Sequence, residues 1–192
     1  MSMNCGRFVW GAILGILVGG TQQAQALPGQ TIAEATRWIQ TNPTLRPLTS
    51  ETTLIRRSAT PAQRFTFQAS LLQAGRAARG PNGGVIRTEE LSLFDMLNGV
   101  SRDRLEESLR AVYGAVIFQD YANAQRVYVY PEMSGDAASG IALQGELRAG
   151  DRYGYWLEIA QSPEGIAYTG RLTVLLRSDV EKLAGELRSR SS

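Results

Sequence analysis

From Arg126 to Leu176 the chain is a succession of short segments that alternate apolar and polar residues and are joined by brief connections. The segments are Arg126-Val127-Tyr128-Val129-Tyr130, Ile141 to Leu147, Tyr153 to Ile159 and Ile166 to Leu176. They are separated by a small-residue loop at 131–140, by Ala149-Gly150-Asp151-Arg152 and by Ser162-Pro163-Glu164-Gly165. Alternation with period two marks a strand with one buried face. Parallel neighbours need a crossover of about a dozen residues or more, which these connections lack, so the strands are expected to form an antiparallel meander. Phe65, Phe67, Ala69 and Leu71, alternating with polar residues, add an earlier strand.

Helical periodicity occurs at three places. Thr31-Ile32-Ala33-Glu34 is a capping box, followed by a stripe of Ile32, Ala35 and Ile39 with Trp38 as the anchor, and Asn42-Pro43 ends that helix. Ser101 caps a second helix with Leu105, Leu109 and Val112 on one face, and Gly114 is the expected stop. Beyond it, Ala115 to Gln119 reads as a strand forming a hairpin with Arg126 to Tyr130. Ser178-Asp179-Val180-Glu181 is a second capping box, opening a helix with Val180, Leu183, Ala184 and Leu187 on its buried stripe. Residues 43–61, rich in Thr, Ser and Pro, read as an irregular linker with at most a short strand around Thr52 to Arg56. Residues 85–93 read either as a strand or as a strand that runs into a short helical turn at Ser92 to Leu97. The expected fold is α+β, an antiparallel meander sheet of about 5–6 strands with helices packed on one face.

The first 26 residues resemble a secretory leader. Arg7 precedes the apolar run Phe8 to Val18, too short to span a bilayer, and Ala24-Gln25-Ala26 offers a cleavage site before Leu27. Residues 27–192 are then a single exported α+β domain, expected in the periplasm, outside the cell or in a thylakoid lumen. At 43% hydrophobic and 20% charged its composition is that of a globular protein.

What the chain lacks restricts its chemistry. It has no histidine, and its one cysteine, Cys5, lies in the leader. Residues 27–192 therefore offer no disulfide, no thiolate nucleophile, no Ser-His-Asp arrangement and no imidazole or sulfur ligand for a metal, so neither metal nor cofactor is expected. Lys182 is the sole lysine. The remaining basic residues are arginines, which stay charged and serve poorly as acids or bases. The glycine-rich Gly80-Pro81-Asn82-Gly83-Gly84 fits no nucleotide-binding pattern and reads as a hairpin connection. Export, a near-neutral total charge and the lack of any recognition motif argue against nucleic acid.

Two features point to a function. Residues 27–80 carry seven arginines against two carboxylates, a net of +5, whereas residues 81–192 carry 12 basic and 16 acidic residues, a net of −4. Arg56, Arg57, Arg64, Arg76 and Arg79 thus form a basic section suited to bidentate contacts with an acidic protein surface or with anionic headgroups. Tyr128 and Tyr130 share one strand face, as do Tyr153 and Tyr155, and together they would make an aromatic platform. The leading expectation is a noncatalytic exported protein that binds or stabilises another exported or membrane-associated protein through these residues, with peripheral membrane contact as a variant. A carrier for a small apolar or carbohydrate ligand is the first alternative. A hydrolase using paired carboxylates from among Glu89, Glu90, Asp95, Asp103, Glu106, Glu107, Asp120, Glu146 and Glu158 is the second.

Overall fold

The computed structural model describes residues 28–75, 84–132 and 142–190. Helix α1 (Ile32–Thr41) leads into strands β1 (Leu54–Thr60), β2 (Gln63–Ser70) and β3 (Thr88–Asp95). Helix α2 (Arg102–Asn123) connects these to β4 (Gln125–Glu132), β5 (Ala142–Ala149), β6 (Tyr153–Gln161) and β7 (Ala167–Leu176). A short 3-10 turn and helix α3 (Val180–Arg190) follow. All seven strands form one sheet in the order β1-β2-β3-β7-β6-β5-β4, antiparallel at every pairing. The architecture is α+β with an antiparallel sheet, as the spacing predicts, but with seven strands. The additional strand is β1, which occupies 54–60 of the stretch expected to be irregular.

Period two sorts the residues into faces. One row of paired residues is Ile55, Phe67, Leu91, Leu172, Leu157, Glu146 and Val129. The neighbouring row, pointing the other way, is Arg56, Thr66, Ser92, Arg171, Glu158, Gly145 and Tyr130. The first face carries the main core, where α1 and α2 pack: Trp38 lies 6.1 Å from the Phe67 ring and stacks on Tyr113 at 5.7 Å. The second face carries a separate core, in which Val180, Leu183, Ala184 and Leu187 of α3 cover Leu147, Trp156 and Leu175. The helices therefore lie on both faces, not on one. The reason is in β5 to β7, where apolar residues occupy both parities (Tyr155 and Trp156, Val174 and Leu175), so this half of the sheet needs cover on each side. On the second face β1 to β3 present mainly polar residues, with Leu54 and Phe94 among them, and no helix of the described residues covers them.

The charged member of the first row, Glu146, is buried, and its carboxylate binds Arg102 of α2 as well as Arg148 at 2.6 Å and Arg126 at 3.4 Å. Burial pushes its pKa up, but the hydrogen bonds and charges of Arg102 and Arg148 outweigh that and hold it below the usual value.

Gly114 does not end α2. Its backbone, at φ 79° and ψ −176°, breaks the helix, and the chain then resumes helical form to Asn123. The segment 115–119 is thus helical and not a strand, and β4 takes β5 as its partner instead. Tyr113, Ile117 and Tyr121, buried at four-residue spacing, explain this: a helical stripe crosses the glycine. The break frees carbonyls that the segment after α1 recaptures. Asn42 Nδ2 donates to Val112 O at 3.0 Å and Thr44 Oγ1 to Ala111 O at 2.8 Å, while Asn42 Oδ1 accepts from the Thr44 and Leu45 amides.

Substituting Asn42 with Ala leaves these buried groups unpaired and is expected to lower stability by about 2 kcal/mol, with Thr44→Ala, at an exposed position, costing less. Urea denaturation of the two variants checks the order.

Candidate functional site

On the second face, between α3 and the 72–75 segment, the sheet is open. Lys182 Nζ donates to Gln73 Oε1 at 2.7 Å and Arg190 Nη2 to Gly75 O at 3.4 Å, which ties that segment to α3 and makes one wall. Asp179, expected inside a capping box, sits beneath, where its carboxylate receives the Arg87 guanidinium. Two hollows follow along β3 and β7. One of about 430 Å³ is floored by Gln68, Thr88, Glu90, Trp156 and Thr173, and a second of about 320 Å³ by Ser92, Leu143, Glu158, Ala160 and Thr169. Arg171 and Glu90 line both, so the two make one groove.

Arg171 is the centre of the groove. Its guanidinium lies 4.6 Å over the Trp156 ring, its Nε donates to Glu158 Oε2 at 2.5 Å, and Nη2 reaches the same oxygen. Glu158 Oε1 accepts from the Tyr130 hydroxyl, which itself accepts from Trp156 Nε1 at 2.9 Å. Burial, and the Glu158 carboxylate it serves, push the Tyr130 pKa well up, so the phenol stays a donor. Stacking and ion pairing from separate directions fix the guanidinium in place. On its open side Nη1 is 3.7 Å from Glu90 Oε2, and Glu90 Oε1 accepts from Ser92 Oγ at 2.8 Å. Thr173, paired with both Glu90 and Trp156 in the register, is 3% exposed, and its hydroxyl has no hydrogen-bond partner among the described residues.

The structure separates the residues singled out from the sequence. Tyr128 and Tyr130 stack at 5.8 Å on the α3 face, where Arg188 covers Tyr128. Tyr153 and Tyr155 lie on the opposite face. Tyr155 is fully buried, edge-on to Tyr121, and donates to Asp120 at 2.7 Å, so the four tyrosines form no common platform. Arg56 and Arg64 are exposed on the open face, Arg64 over Phe94 at 5.3 Å. Arg57 points to the other face and is engaged by Glu51, which also accepts from the Arg56 amide, while Arg57 Nη1 donates to Arg56 O. That clip occupies backbone groups of an edge strand that would otherwise be free to pair. The hydrogen bond from Arg57 and those from nearby amides hold Glu51 down at about 2. Arg76 and Arg79, like most of the Gly80 to Gly84 connection, lie outside the described residues.

The groove residues Trp156, Arg171 and Thr173 belong to no sequence motif. Their one signal is that β6 and β7 each set a charged residue, Glu158 and Arg171, inside an otherwise apolar run. Of the candidate acids, Glu89 stands apart: it is buried in the main core, its Oε2 accepts from Tyr113 at 2.6 Å, and its Oε1 has no partner. Burial raises its pKa to about 7. No other carboxylate hydrogen-bonds with it, and among the described residues no group of three or more acids, cysteines or histidines is placed to hold a metal ion. The chain matches no family model, no curated protein and no solved structure.

Two substitutions test this geometry. A Cβ at Gly145 would come within 2.4 Å of the Tyr130 ring. Gly145→Ala is therefore expected to displace Tyr130, break its link to Glu158 and Trp156, and cost about 1 to 3 kcal/mol, with a shift of the Trp156 indole N–H resonance as the local readout. For Glu89 the folded pKa exceeds the unfolded one, so its contribution is fully present below about 4.5 and is lost as pH rises through about 7. Relative to Glu89→Gln, the native protein should lose about 3 kcal/mol between pH 4 and pH 8, measured as the difference between their urea unfolding free energies at each pH.

Proposed function

We propose that this is a noncatalytic exported protein that binds another protein of an envelope or membrane-associated assembly, and that the open sheet face is its contact surface. The observation carrying this reading is the groove itself: an arginine held rigid by Trp156 and Glu158 beside a buried hydroxyl without a partner. A side chain fixed before binding loses little freedom on binding, and a buried polar group left open costs free energy until something meets it. Arg56 and Arg64 extend the surface across β1 and β2, where the described second-face positions hold no carboxylate, and so favour an acidic partner.

The alternatives have less support. Carbohydrate carriers stack sugar rings on bare aromatic faces, whereas Trp156 is only 2% exposed and its ring lies under a guanidinium. A carrier for apolar ligands needs an enclosed apolar cavity, and the hollows here are open to solvent, with the charged side chains of Glu90 and Arg171 lining both. A hydrolase needs a carboxyl able to hold and give up a proton in a cleft. Both oxygens of Glu158 already accept hydrogen bonds, and Glu89, the carboxyl with the raised pKa, is sealed in the core.

A photo-crosslinking amino acid placed at Gln68 on the open face, with a control at exposed Val129 on the other face, tests the proposal in the native cell. The expected result is one discrete protein adduct from Gln68, none from Val129, and loss of the adduct when Arg56 and Arg64 are both changed to Glu. Equal adducts from both positions, or no adduct together with a small molecule retained in native mass spectrometry, would overturn it.

A further inference from the structure

Glu89 is a carboxyl set into the main core with part of its hydrogen bonding unmet. It is 0% exposed, its Oε2 accepts from the Tyr113 hydroxyl at 2.6 Å, and its Oε1 has no hydrogen-bond partner among the described residues. Its neighbours across the register are Ala69 of β2 and Val174 of β7, both apolar. The titratable groups around it are phenols: Tyr113 from α2, and Tyr153 and Tyr155 from β6. Asp120 and Arg152 lie beyond them, beside Tyr153 and Tyr155. α1 adds the Trp38 ring, stacked on Tyr113. Two further cations on this side are engaged by other acids: Arg87, two residues before Glu89, by Asp179, and Arg148, paired with Tyr155 in the register, by Glu146.

A neutral carboxyl is tolerated in such a place, and a carboxylate is not. Ionised, Glu89 would hold a charged oxygen away from water with no donor on it, which costs much more than an unpaired neutral one. No second side chain among the described residues donates to it, so water has to be brought in. Tyr113 is the last residue before Gly114, where a φ of 79° already interrupts the helix. With Trp38, Asn42, Thr44 and Gly114 it also lines a surface cleft of about 520 Å³. One residue, Tyr113, thus meets both the cleft and the carboxyl.

We propose that Glu89 and Tyr113 form a proton-operated latch: with its proton, Glu89 keeps the Trp38–Tyr113 stack closed, and loss of the proton parts the two rings at the Gly114 break and admits water from the cleft to the carboxylate. The opening is local. Asn42 and Thr44 hold the carbonyls of Val112 and Ala111, so α1 and α2 stay attached while the rings separate, and the break at Gly114 leaves no continuous helical ladder to be pulled apart. The direction follows from burial, which raises the Glu89 pKa to about 7, so the closed form is favoured at low pH and gives way as pH rises through that value. The latch is independent of the partner-binding face, which lies on the other side of the sheet.

Native-state hydrogen exchange and indole N–H signals, followed by nuclear magnetic resonance between pH 5 and pH 8 on the nitrogen-15-labelled protein and on Glu89→Gln, test the latch. Dividing the exchange rate of each amide by its rate in Glu89→Gln at the same pH removes the intrinsic effect of hydroxide. For the amides of residues 113 to 117 this ratio is expected to rise about thirtyfold to hundredfold over that range, while those of β6 and β7 stay level. The Trp38 indole signal should move with a midpoint near pH 7 and the Trp156 indole should not, a contrast that needs no variant. Three results would each overturn the proposal. A Trp38 transition that persists in Glu89→Gln belongs to another group. A rise shared by every amide means that Glu89 acts on the whole fold and not on a local opening. A Glu89 carboxyl carbon signal that titrates while Trp38 and residues 113 to 117 stay unchanged means that the charge is tolerated with the stack closed.

Discussion

The pairing of β3 with β7 is the contact on which the rest of the molecule depends. The chain makes two meanders, β1 to β3 and β4 to β7, and each alone is a small sheet with two free edges. Joining Thr88–Phe94 to Thr169–Leu175 closes one edge of each and brings together residues about 80 positions apart. The main core then becomes continuous, with Leu91 beside Leu172 and Glu89 beside Val174. On the reverse face the same pairing sets Ser92 beside Arg171 and Glu90 beside Thr173. The groove is therefore built by the long-range pairing, and neither meander holds it alone. Contacts so distant in sequence require closing a long loop before any reward is gained, which makes this pairing a slow step in forming the sheet.

The two faces divide the work. The α1 and α2 face buries the larger core and is stitched by polar clips at its irregular points: Asn42 and Thr44 on the break at Gly114, Glu146 on Arg102, and Asp120 on Tyr155. The α3 face is closed over β4 to β7 and open over β1 to β3. Trp156 marks the boundary, with its ring in the α3 core, its N–H on Tyr130 and its outer side under Arg171. A side chain shared in this way couples the groove to the packing of α3, so Arg171 is held as firmly as the core beneath it.

Much of the fold was legible because it rests on local pattern. Period two found β2 and β4 to β7, and the Thr31–Glu34 capping box is present with both of its hydrogen bonds. What failed depended on tertiary contact. Gly114 has the local look of a helix stop, but Ile117 and Tyr121 find the same core as Tyr113, and that burial carries the helix past it. The 43–61 stretch lacks an apolar period because it supplies polar groups, Thr44 to α2 and Glu51 to β1, and β1 gains its order from β2. The basic section looked like a free surface. Arg57 instead guards an edge, and only Arg56 and Arg64 of the described arginines there lie on the open face beside the groove. The groove was not legible because Glu90, Trp156, Arg171 and Thr173 converge only through strand register, which no single segment encodes.

Glu89 and Glu90 show how far that register decides chemistry. Adjacent in sequence, they resemble one dense acidic patch, yet period two sends them to opposite sides of the sheet. Glu89 enters the core, where burial lifts its pKa to about 7 and the Tyr113 hydroxyl donates to its carboxylate. Glu90 faces the groove, where Ser92 occupies one oxygen and the other looks across at Arg171. A carboxyl with a proton to give and a carboxyl with access to a ligand are both present, but on different faces, separated by the thickness of the sheet. General acid catalysis needs those two properties in one group. Their separation is the physical reason a binding role fits this arrangement better than a hydrolytic one.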